Sequence, residues 1–190
     1  MQRDRYWSAP GFRRAAALAA SVATLATMMV VASASSSSAY TLNGCKWPST
    51  IMDLDYRRTS GNYRTAIGQA IVNYNNATPV HLNGVESTGA SMSSDVANYG
   101  ATGWEAFNDS TCIGGTTFSS TSKINTYYLP SSTPVARLKV VWLHELGHSL
   151  GLGHASAINR VMYTSASTAY TSGGVRGLTT DEIAGIDYLY

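Results

Sequence analysis

Charge is what this 190-residue chain has least of: only 13% of its residues are Asp, Glu, Lys or Arg. The formal balance of +2 comes from one end, because Arg3, Arg5, Arg13 and Arg14 fall in the first fourteen positions with Asp4 as their only acid. Beyond them nine basic residues face ten acidic ones. No basic stripe remains to track a phosphate backbone, which excludes a nucleic-acid binder. Internal repeats are absent, and Ser35–Ser38 is the single low-complexity run. The length is too short for two ordinary domains, and an apolar share of 44% excludes a fully disordered chain. Abundant Ser, Thr, Gly and Tyr suit a secreted, loop-rich protein.

Long apolar runs are also lacking, with one exception at residues 15–32 (AAALAASVATLATMMVVA). It follows the basic N-terminus and precedes Ala32-Ser33-Ala34, small residues in the spacing that signal peptidase needs. The competing reading is a membrane anchor, since about eighteen apolar residues can span a bilayer. Ala dominates the stretch and no basic stop-transfer cluster follows, so residues 1–34 are read as a cleaved secretory signal, with cleavage after Ala39 as the alternative. Arg13-Arg14 matches twin-arginine export poorly. Residues 35–190 are then expected to form one soluble, extracellular, monomeric domain.

Cys45 and Cys112 are the only cysteines, and both lie in the exported part. A disulfide between them is expected. Such a bond could add roughly 4 kcal/mol in the chain-entropy picture. The alternative makes Cys45 a thiolate that plugs a metal site in a latent precursor, but too few residues separate it from the signal for a folded prodomain.

Residues 51–56 read as a first strand with Asp53 and Asp55 pointing outward. Apolar residues at 63, 66, 67, 70, 71 and 74 predict an amphipathic helix over 63–76, ended by Pro79. Short strands are expected near 80–85, 103–107, 115–119 and 123–129, the last (KINTYYL) rich in β-branched and aromatic residues. A helix over 135–150 has Pro134 at its start and Gly151 at its end. Thr179-Thr180-Asp181-Glu182 matches a capping box and opens a last helix. The order predicts an α+β fold.

The chemistry sits at 142–154, WLHELGHSLGLGH. His144 and His148 are four apart on a predicted helix, so both rings leave one face and can reach one Zn²⁺. Glu145 lies roughly 100° round the helix from its neighbour, where it can take a proton from water. Gly151 lets the chain turn back sharply, so that His154 can approach the same ion. Three neutral His ligands leave a fourth position open, the arrangement of a catalytic zinc rather than a structural one. Five fixed positions in H-E-x-x-H-x-x-G-x-x-H make the motif specific, and three of the four His in the chain fall inside it.

With that motif the chain resembles the metzincin zinc metalloproteases, and within them the matrixin branch in a minimal, secreted, bacterial-type form. Val161-Met162-Tyr163, eight residues past the last His, and the tail LTTDEIAGIDYLY carry the rest of the likeness. The resemblance implies a twisted mixed β-sheet with an N-terminal helix, an active-site helix and a C-terminal helix. It also implies that Met162 forms the Met-turn, an apolar floor beneath one catalytic Zn²⁺. Three features depart from the family pattern. Thr164 stands where Pro usually follows Met-Tyr, and also where some other metzincins place a zinc-assisting Tyr. The vertebrate latency cysteine motif is absent. Only His81 remains outside the motif, too little for a second, structural zinc. Calcium is a further possibility, with Glu86, Asp95 and Asp109 as oxygen donors, but they form no recognisable cage.

The implied activity is endopeptidase cleavage of a protein or peptide substrate, with Glu145 as general base toward a metal-activated water. The substrate is expected to lie antiparallel to an edge strand near 103–107, where Trp104 is a candidate contact, and 164–177 is expected to border the specificity pocket. The alternatives are a zinc hydrolase of another amide or ester, or a non-catalytic zinc-bearing binding domain.

Overall fold

The computed structural model describes residues 40–190. The proposed signal at 1–34, and its alternative boundary at 39, lie outside the described residues. A two-residue strand β1 (Thr41–Leu42) opens the fold, followed by β2 (Ile51–Arg58), α1 (Gly61–Ala77), β3 (His81–Val85) and β4 (Met92–Ala97). Next come β5 (Ala106–Ile113), β6 (Thr116–Asn125), α2 (Val135–Ser149), β7 (Leu152–Gly153), α3 (Ala166–Thr171) and α4 (Thr180–Leu189). The expected α+β layout forms, built on a five-stranded mixed sheet in the order β3-β2-β4-β6-β5. Pairings β2–β3, β2–β4 and β4–β6 are parallel, and β5 runs antiparallel along β6 as an edge strand.

The α1 periodicity is realised in full: Tyr63, Ala66, Ile67, Ala70, Ile71 and Tyr74 are its buried residues. They meet the inward side chains of β2, Met52 and Leu54, and the buried residues of α2. Burying a side chain of Leu or Ile size stabilises by about 1.5–3 kcal/mol, so this α1–α2–sheet interior is the main anchor of α2. Two tyrosines add directed contacts. Tyr63 donates to the Leu129 carbonyl at 2.6 Å and Tyr74 to the Leu143 carbonyl of α2 at 2.8 Å.

Several strand expectations are corrected. Residues 115–119 and 123–129 belong not to two strands but to one and its exit: β6 runs from Thr116 to Asn125, and 126–129 turn away. The Asn125 side chain accepts from the amides of Tyr99 and Tyr127, which closes that turn. The strand placed at 103–107 is shifted to Ala106–Ile113, joined to β6 by Gly114-Gly115, both at positive φ, in a two-residue hairpin. β4 was not anticipated. Asp53 is exposed as expected, but Asp55 is buried, because Arg57 folds back and donates to both of its carboxylate oxygens at 2.9–3.0 Å. That guanidinium holds the Asp55 carboxyl below its ordinary range. Residues 164–177 are not all loop, since α3 lies within them, its N-cap Ser165 accepting from the Thr168 amide. Among the described residues, no helix is long and apolar enough to cross a membrane.

Candidate metal centre

The His motif occupies the end of α2 and the turn beyond it. Gly151, at φ +106°, reverses the chain, and β7 then pairs antiparallel with β1, which fixes the approach of His154. Gly147 lets Met162 come close: a Cβ there would lie 2.5 Å from Met162 Sδ and 3.1 Å from Tyr74 Oη. Met162 is buried, and its carbonyl accepts from the Ala155 amide at 2.7 Å, so the residue after His154 is tied to the Met162 turn. Glu182 of α4 reaches both places. Its carboxylate accepts from the Thr179 amide at 2.9 Å, completing the N-cap contact the sequence predicted, and from the Met162 amide at 3.2 Å.

The three imidazoles converge. His148 Nε2 lies 3.0 Å from His144 Nε2 and 3.2 Å from His154 Nε2. The first of these contacts is not a hydrogen bond between neutral rings. His144 Nδ1 faces the Val161 carbonyl and His148 Nδ1 faces the Leu152 carbonyl, each at 2.8 Å. A carbonyl only accepts, so each Nδ1 carries the proton and each Nε2 presents a lone pair. Burial, with a smaller contribution from His148, lowers the His144 pKa to about 3, and burial lowers that of His148 as well, so both rings are neutral. Lone pairs packed this closely repel one another unless a cation sits among them. Tetrahedral ligation at 2.0–2.1 Å sets ligand nitrogens about 3.3 Å apart, so the donor set fits one Zn²⁺. It is the only cluster of three metal-binding side chains among the described residues.

Glu145 is 4% exposed, and its Oε2 has no partner among the described residues. Burial pushes its carboxyl up to about 8, and the charge of Glu105 adds to the shift. The His triad and Glu145 open on a cleft of about 860 Å³ that follows β5. Trp104, Phe107, Asn108, Thr164, Ser165 and Ala166 are among the residues that line it.

A family profile described as matrixin matches residues 49–190. The chain belongs to the matrixin family. Among relatives of this matrixin, Metalloendoproteinase 2-MMP of Arabidopsis thaliana is 44% identical over 62 residues, 32% of this chain and 15% of the relative. Matrilysin of Rattus norvegicus is 51% identical over 47 residues, 25% of this chain and 17% of the relative. Metalloendoproteinase 5-MMP of Arabidopsis thaliana is 41% identical over 73 residues, 37% of this chain and 19% of the relative. The matched stretches thus span less than a fifth of each relative's length.

The structure of this matrixin brings together His144, His148, His154, Glu145 and Met162, and it joins Cys45 to Cys112 in a disulfide. It does not gather the acids considered for calcium. Glu86 pairs with Arg64, Asp95 with Arg58, and Asp109 with Lys123. Trp104 is half-buried and stacks between Tyr99 and Phe107, with ring centroids 5.0 and 6.0 Å away. Sequence reasoning missed Glu105. Its carboxylate accepts from the Ser167 amide at 3.0 Å and pairs with Arg137 on α2, linking the start of β5 to both helices beside the cleft. The scarcity of charge could have pointed to it, as Glu105 and Asp109 are the only acids between Asp95 and Glu145.

Proposed function

We propose that residues 35–190 form a secreted zinc-dependent endopeptidase domain, with 1–34 as its signal (cleavage as late as 39). His144, His148 and His154 hold one Zn²⁺, Glu145 is the general base, and Met162 is the floor of the site. The observation that carries this reading is the convergence of three Nε2 atoms at 3.0 and 3.2 Å beside a buried carboxylate with a free oxygen. Zn²⁺, when bound, supplies Lewis acidity toward water and the peptide carbonyl. Glu145 Oε2 accepts a proton from the attacking water and delivers it to the leaving amine nitrogen as the C–N bond breaks. The outer edge of β5 orients an extended substrate by antiparallel main-chain pairing, so sequence preference falls to the side chains lining the cleft. The Cys45–Cys112 bond supports an oxidising, extracellular destination.

The test is hydrolysis of a labelled unfolded protein by the purified chain, with and without a zinc chelator. Cleavage should stop with chelator. Glu145→Ala should lower turnover by about 10²–10⁴-fold, the usual share of a general base, with zinc content unchanged. Cleavage that survives the chelator, or folded zinc-loaded protein that cleaves nothing, would refute the reading.

A further inference from the structure

The segment Thr41–Trp47 crosses the end of α2 and hydrogen-bonds to it and to the turn beyond. Helix ends leave their last carbonyls without intrahelical partners. Here the segment supplies partners at that end, beside the Gly151 amide, which donates to the His148 carbonyl at 3.1 Å. Asn43 Nδ2 donates to the His148 carbonyl at 2.9 Å, and Trp47 Nε1 donates to the Ser149 carbonyl at 2.8 Å. The Asn43 amide donates to the Gly151 carbonyl at 2.9 Å, and Thr41 Oγ1 to the His154 carbonyl at 2.6 Å. Two metal-binding residues, and the glycine that turns the chain between them, are therefore held through their backbones by one short stretch. Gly153 makes the close approach possible, since a Cβ there would lie 2.5 Å from Thr41 Oγ1.

The same stretch is anchored at its far side. Cys45 is bonded to Cys112 of β5, and Lys46 exchanges backbone hydrogen bonds with the β5–β6 hairpin, donating to Gly115 at 3.1 Å and accepting from Thr117 at 2.8 Å. Asn43 Oδ1 accepts from the Cys45 amide at 3.0 Å, so the disulfide fixes the side chain that grips His148. Cys112 is exposed, and both cysteines border the cleft.

We propose that Thr41–Trp47 is a disulfide-anchored strap, with Asn43 as its positioning residue, that sets the metal affinity of the His148–His154 loop. The inference rests on the His triad being the zinc site proposed above. His154 sits in an exposed turn, and without the strap that turn regains backbone freedom that metal binding must remove again. The strap takes no part in bond breaking. It acts through the backbones of His148, Gly151 and His154.

The test measures zinc affinity by competition with a chelating dye, and amide exchange at 151–155, neither of which depends on proteolysis. Asn43→Ala and the double variant Cys45→Ser/Cys112→Ser should each lower zinc affinity tenfold or more and speed exchange at 151–155. Reducing the zinc-loaded chain with a phosphine, which does not compete for zinc as a thiol does, should release metal on the same scale. Lys46→Ala cuts the strap's bond to the Leu189 carbonyl of α4 and should leave affinity within twofold. That control separates positioning from general loss of stability. If the double Cys variant fails to fold, Asn43→Ala with the disulfide intact decides. Zinc affinity unchanged in folded Asn43→Ala overturns the strap. Failure of the unaltered chain to bind zinc at all overturns the metal reading instead.

Discussion

His144 and His154 point at the same place from opposite structural circumstances. His144 is 4% exposed, rides on a helix whose neighbours are buried against α1 and the sheet, and has its ring fixed by the Val161 carbonyl. His154 is exposed, lies three residues past Gly151 at φ +106°, and has no hydrogen bond at Nδ1 among the described residues. Its position comes from its backbone: the β1–β7 pairing before it, Thr41 on its carbonyl, and the Ala155–Met162 bond after it. One histidine is placed by the hydrophobic interior and the other by hydrogen bonds at the surface. A metal joining them would couple the interior to the surface turn, so metal removal should loosen the second far more than the first.

The largest effect that separates the two histidines should appear in the metal-free protein. His144→Ala leaves a small cavity and removes the donor that satisfies Val161, which should cost about 2–4 kcal/mol. His154→Ala removes an exposed ring and should cost within about 0.5 kcal/mol. Chemical denaturation in chelator measures both. Equal losses would mean that the buried ring is not part of the folded core.

A smaller difference should follow pH. The folded chain holds His144 neutral down to about 3, while an unfolded histidine takes up its proton near 6.5. The unfolded state therefore binds more protons between these values, and stability falls as pH drops through 6.5 toward 3. From pH 7 to pH 5 the loss from this one group is roughly 2 kcal/mol by linkage, and His148 shifts in the same sense. Denaturation of the chelated protein across that range should show the slope, and His144→Ala should reduce it. A flat profile in the unaltered metal-free chain would contradict the buried neutral ring.

What was legible in the sequence divides along similar lines. The metal motif, the Gly151 turn, the α1 face from Tyr63 to Tyr74 and the Glu182 cap all depend on residues within a turn or two of one another. Their spacing alone announces them. β4 was not legible, because MSSDVA has few strand formers and is held by parallel pairing with β2 and β6, each far away in sequence. β5 was placed too early for a related reason: AFNDSTCI is a polar edge strand whose length is set by β6. Asp55 looked like a solvent-facing acid until Arg57 covered it, a contact that alternation does not encode. The strap was visible only as two cysteines. Its grip on His148, Gly151 and His154 joins residues more than a hundred positions apart.

The finest test compares two neighbours at the end of α2. Ser149 follows His148 but points the other way, into a buried cluster with Ser120 and Ser122 of β6 and Asn108 of β5. Asn108 Nδ2 lies 2.7 Å from its Oγ, Ser120 Oγ 2.8 Å and Ser122 Oγ 3.1 Å. The cluster fixes the spacing between α2 and the edge strand on which a substrate would pair. In Ser149→Ala the remaining groups still bond to one another, with Asn108 contacting Ser120 at 2.9 Å and Ser122 at 3.1 Å. The loss should be about 1–2 kcal/mol, because Ser149 Oγ meets four partners, the Glu145 carbonyl at 3.2 Å among them, and the other three re-pair in its absence. Zinc affinity should stay within twofold, because His144 and His148 are carried by the whole packed helix. Asn43→Ala removes two bonds, to the His148 carbonyl and from the Cys45 amide, but from the surface side. An affinity loss in Ser149→Ala as large as in Asn43→Ala would mean that the helix end gives way as readily as the turn, and the contrast between the interior and surface ligands would collapse.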